Sequence, residues 1–76
     1  MPRTIQAFIT RGERQFVGEC HGINVVTQGR SIDETVENLR SAVGLFLEGE
    51  DPAEFGLLPN PILLISLEVE PLADAG

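Results

Sequence analysis

Ser31 and Glu34 form an S-x-x-E capping box, and the residues that follow carry one apolar stripe: Ile32, Val36, Leu39, Val43 and Phe46. That spacing predicts a helix from about Ile32 to Glu48, with Asp33 and Glu34 at the positive end of its dipole and Gly49 as its stop. No second stripe of this length occurs in the 76 residues. A lone amphipathic helix must bury its stripe against something other than helix, so the rest of the chain has to supply a sheet. Gly44 inside the helix costs about 1 kcal/mol relative to Ala unless close packing on the sheet requires it.

The flanking segments have the matching period. Thr4 to Thr10 alternates Ile5, Ala7 and Ile9 with Thr4, Gln6, Phe8 and Thr10, a strand with one buried face. Arg11, Gly12, Glu13 and Arg14 read as a hairpin turn, and Gln15 to Cys20 as the returning strand. Gly22 breaks the chain again, and the β-branched run Ile23 to Thr27 predicts a third strand. After the helix, Glu50 to Pro61 is a connector with room for one helical turn, Asp51 as cap and Pro52 at its first position. Ile62 to Val69 is the fourth strand. Leu63, Ile65, Leu67 and Val69 make one apolar face, yet Ile62 and Leu64 on the other face are apolar as well. One helix covers one face of a sheet, so this strand predicts a second copy over the other, with Ile62 and Leu64 at the interface of a dimer or tetramer. The expected fold is therefore α+β, a single domain over 1–76 in β-β-β-α-β order. It is a small antiparallel sheet with the helix on one face and a frayed tail at 71–76.

Charge narrows the partners. Five Lys+Arg against twelve Asp+Glu give a net charge of −7, which argues against direct binding of nucleic acid. The acidity is uneven: residues 1–30 carry a net +2 and residues 31–76 a net −9. Glu48, Glu50, Asp51 and Glu54 concentrate it at the helix end and in the connector, and are the residues expected to meet a basic partner. An apolar fraction of 42% is too high for a disordered acidic tail. The longest apolar runs fall far short of a membrane span, and residues 1–10 have no signal-peptide pattern, so the expected location is the cytoplasm.

Chemical sites are poorly supported. Cys20 and His21 are the strongest candidates for a nucleophile and base, but neighbours in an extended strand point to opposite faces. One His and one Cys do not complete a tetrahedral metal set, and the carboxylates from Glu48 to Glu54 lack the spacing of a calcium loop. Thr27-Gln28-Gly29-Arg30 precede a helix N-terminus but lack the glycine pattern or lysine of a phosphate loop, and Asp33 and Glu34 would repel an anion. A tight turn with Gly29 in the left-handed region is expected there instead. Neither a catalytic residue, a metal nor a cofactor is assigned.

As a string, Phe16 to Leu39 resembles the HicB family of antitoxins, whose pattern is an aromatic-led strand, a turn, a strand ending in T-x-G, and a Ser/Thr-capped helix. Thr27, Gly29, Ser31, Glu34, Leu39, Ala42 and the closing Leu45-Phe46-Leu47-Glu48 match it. The chain departs from it at Cys20 to Ile23, where the family usually has a Pro-containing turn. It departs again at Arg11 to Arg14, usually an Asp/Gly hairpin, and at Thr35, often Ala. The resemblance implies a sheet-and-helix domain similar to a reduced RNase H fold that neutralises a small, basic, RNA-cleaving HicA-type toxin by binding it, without enzyme activity of its own. Many members continue into a DNA-binding domain; this sequence ends at Gly76, and operator binding is not expected of it. The rival expectation is an orphan oligomerising scaffold domain with no toxin.

Overall fold

The computed structural model describes residues 3–57 and 60–72. Strand β1 (Thr4–Arg11), β2 (Phe16–Cys20) and β3 (Val26–Gly29) precede helix α1 (Ile32–Leu47). A 3-10 turn (Pro52–Phe55) and β4 (Ile62–Leu67) follow it. The fold is α+β, in the β-β-β-α-β order read from the sequence. The sheet order is β3-β2-β1-β4.

The sheet is mixed and not antiparallel throughout. β1 pairs antiparallel with β2 (Ile9 opposite Gly18) and β2 antiparallel with β3, but β4 runs parallel to β1, with Ile5 opposite Leu63 and Ala7 opposite Ile65. The reason is the connection. β3 leaves the sheet into a helix that crosses back over it, and such a crossover delivers the next strand in the direction of the one it left. β3 already runs parallel to β1, so β4 does too.

α1 forms where the capping box places it. Ser31 Oγ accepts from the Glu34 backbone N–H at 3.0 Å, while the Glu34 carboxylate accepts from the N–H of Arg30 at 2.8 Å, one residue before the cap. Its buried residues are Thr35, Leu39 and Val43, four apart, with Ile32, Val36 and Phe46 half-buried beside them. The helix ends at Leu47. Glu48 turns extended while its N–H donates to the carbonyls of Gly44 and Leu45, and Gly49 follows at φ 77°.

The core lies between α1 and the Ile5, Ala7, Ile9 face of β1. α1 sits over β3 and β2, and Leu39, wholly buried, reaches Ala7 and Ile9. Burying such a leucine is worth roughly 1.5–3 kcal/mol. β4 lies beyond the helix: Leu63 and Ile65 are half-buried, whereas Leu67 and Val69, expected on the covered face, are exposed.

Three local expectations are corrected. The third strand is Val26–Gly29 and not Ile23–Thr27, because the Val25 N–H donates to the Ile23 carbonyl within the turn and not to β2. β4 stops at Leu67, short of Val69. Gly29 is not in the left-handed region. The connector forms the expected turn, with Asp51 accepting from the Ala53 N–H and Pro52 leading it. It then folds back onto the core: Phe55 packs on Phe46 with ring centroids 5.1 Å apart, and Leu57 is buried with Ile5, Val25 and Val43. The frayed tail expected at 71–76 lies, from residue 73 onward, outside the described residues.

Candidate partner-binding surfaces

Register assigns every strand residue to a face. Opposed residues point the same way, so Thr4, Gln6, Phe8 and Thr10 of β1 share the helix-free face with Val17 and Glu19, with Val26 and Gln28, and with Ile62, Leu64 and Ser66. Ile62 and Leu64 are 55% and 53% exposed, and Val26 at the far edge is 64% exposed. Phe8 and Val17 between them are half-buried. The face carries a single charged strand residue, Glu19. The sequence points to Ile62 and Leu64 on this face; it misses Val26, because a third strand drawn from Ile23 obscures its pairing opposite Glu19.

The acidic residues form the second surface. Glu48, Glu50, Asp51 and Glu54 are all exposed, on the stretch that ends α1 and opens the 3-10 turn. Asp51 is also the cap of that turn. Among the described residues, no three His, Cys, Asp or Glu side chains group closely enough to hold a metal ion.

The chemical candidates separate. Cys20 points to the helix side opposite Ala7 and packs against the core, and burial pushes its thiol pKa up. That shift is opposite to the one that activates a nucleophile. His21, whose N–H donates to Gln6, is exposed in the turn. Thr27 to Arg30 form no anion cradle: the Glu34 carboxylate takes the Arg30 N–H, and Asn38 Nδ2 donates to the Gln28 carbonyl at 2.7 Å. Its hydrogen bonds to Arg30, backbone first and then guanidinium, hold the Glu34 pKa below the usual glutamate value.

A groove of about 540 Å³ runs between Thr10, Arg11, Phe16, Ile32 and the segment Glu68–Leu72. Arg11, Glu68 and Glu70 are its charged lining residues. No helix among the described residues is long and apolar enough to cross a membrane. Compared with family models, curated proteins and solved structures, the chain matches none of them.

Proposed function

We propose that this chain is a HicB-like antitoxin domain that binds and neutralises a small basic RNA-cleaving toxin of the HicA type in the cytoplasm, as a binder and not an enzyme. The observation that carries the reading is the joint between β3 and α1. Thr27 and Gly29 end the strand, Ser31 caps the helix, and Glu34 closes the turn, so the residues of the resemblance occupy one continuous structural unit. The exposed carboxylates Glu48, Glu50, Asp51 and Glu54 supply the field that would steer a basic partner.

The test uses any small basic protein found encoded beside this chain. Its association rate should fall as salt rises, and should fall again in Glu48→Gln, Glu50→Gln, Asp51→Asn and Glu54→Gln combined. Asn at 51 retains a capping oxygen, so the turn stays intact. No binding, or an on-rate indifferent to salt, removes the reading.

A second reading has its own support. Val26, Ile62 and Leu64 expose apolar surface on a nearly uncharged sheet face, the feature expected of a scaffold domain whose property is self-association.

A further inference from the structure

The two edges of the sheet differ. β3 is short, four residues, and α1 reaches down to it through Asn38, which takes the Gln28 carbonyl. β4 has six residues, Ile-Leu-Leu-Ile-Ser-Leu, with no charge, proline or glycine to blunt it. Natural edge strands commonly carry Lys, Pro or a bulge against pairing with another chain. β4 lacks all three.

The free hydrogen-bonding groups can be assigned. The Ile62 N–H donates to Arg3 and the Glu68 N–H to Ile9, so the even residues of β4 turn their backbone groups toward β1. Backbone groups alternate sides along a strand, which leaves the N–H and C=O of Leu63, Ile65 and Leu67 pointing to an edge that no strand among the described residues pairs with.

We propose that a second copy of this chain occupies that edge, pairing β4 antiparallel to β4 across a two-fold axis at Ile65 to make one continuous sheet. In this register Leu63 lies opposite Leu67 of the second copy and Ile65 opposite Ile65, each exchanging both backbone bonds. A slip of two residues one way sets Leu67 opposite Pro61, which has no N–H to give. A slip the other way runs past Leu67, where the strand ends. The axis keeps both helices on one side of the sheet, and Leu67, 43% exposed in the single chain, gains Leu63 of the second copy as its neighbour.

Charge selects the occupant. A basic protein would find no carboxylate along Ile62–Leu67 to pair with. A second copy of a chain with net charge −7 meets repulsion wherever its acidic parts approach, yet here the touching strands are neutral. The antiparallel arrangement also sets Glu68 of each copy at opposite ends of the ladder, opposite Ile62 and far from each other. The inference rests on the self-association of the second reading and not on the toxin, and its test uses the purified chain alone, so its failure leaves toxin binding untouched.

Sedimentation of the chain should give twice the single-chain mass, and Leu67→Lys should weaken dimerisation by at least about tenfold with an unchanged circular-dichroism spectrum. Leu64 and Ser66 of the second copy form a non-hydrogen-bonded pair in the proposed register, with Cα atoms about 4.5 Å apart, within disulfide range. Leu64→Cys with Ser66→Cys, in a Cys20→Ser background, should therefore oxidise to a covalent dimer. A monomer at high concentration, or a dimer that forms no such cross-link, overturns the proposal. So does a dimer that survives Leu67→Lys but is lost in Val26→Glu, which would mean two sheets stacked face to face; pairing seen only with the basic toxin would assign the edge to that partner instead.

Discussion

A Cβ placed on Gly29 would stand 2.5 Å from Thr35 Oγ1 and 2.7 Å from the Thr35 backbone nitrogen. The end of β3 and the first turn of α1 thus touch backbone to backbone. Thr35 is wholly buried and held in place by its own hydroxyl, which donates to the Ser31 carbonyl at 2.7 Å. Gly29→Ala must push the helix off the strand, and is expected to cost about 3 kcal/mol. Gly18→Ala meets side chains only, Leu39 at 2.9 Å and Thr35 Cγ2 at 3.0 Å, and should cost about 1–2 kcal/mol because side chains shift more readily than backbone. Urea midpoints at one fixed protein concentration order the two; equal losses would remove the backbone contact as the cause.

Gly44 is the opposite case. It is exposed on α1, and a Cβ there would meet nothing within 4 Å. Close packing does not require it. Gly44→Ala should stabilise the fold by about 1 kcal/mol, seen as a higher urea midpoint with an unchanged slope.

The Glu34 carboxylate predicts a dependence on pH. Its folded pKa lies below the ordinary value, because the Arg30 N–H and guanidinium bind its charged form. The unfolded chain therefore binds the proton more readily, so the contribution is complete above the unfolded glutamate pKa and is lost as pH falls through the lowered folded one. Wild type should exceed Glu34→Gln in stability at neutral pH, and the gap should close through the acid carboxylate range. A gap constant in pH would assign the effect to shape and not to charge.

Cys20 should alkylate more slowly in the folded protein than in urea at neutral pH, since burial both raises its pKa and restricts access. Rapid modification of the folded chain would contradict its place among Ala7, Ile9 and Leu39.

Much of this architecture is legible in the residues. The capping box and its stripe locate α1 to within a residue of its end, and the alternation of Ile5, Ala7 and Ile9 names the buried face of β1. Periodicity reports which way side chains face, not which strand lies alongside or in which direction, so the parallel pairing of β4 is invisible to it. Ile23 and Val25 are β-branched in a turn because one local hydrogen bond, from the Val25 N–H to the Ile23 carbonyl, outweighs their strand preference. Leu57 sits in a connector rich in Pro and Gly, and no repeat marks it as core. Thr35 is polar by composition and buried in fact, since its hydroxyl donates to the Ser31 carbonyl and needs no partner outside the helix. Of the candidate surfaces, the exposure of Ile62 and Leu64 follows from strand parity, while the exposure of Leu67 depends on where α1 stops covering the sheet.

The parallel ladder between β1 and β4 also sets an order of events. Thr4 lies opposite Ile62, 58 positions later, so the domain's first strand finds its second neighbour only when its last has been made. During synthesis the β1–β2–β3 meander and α1 can assemble from local contacts, but the Ile5, Ala7, Ile9 strand keeps an open flank until β4 arrives. Contacts of such sequence separation form late and slow folding. The rate-limiting step should be the docking of β4, and substitutions in Leu63 or Ile65 should slow refolding more than they speed unfolding.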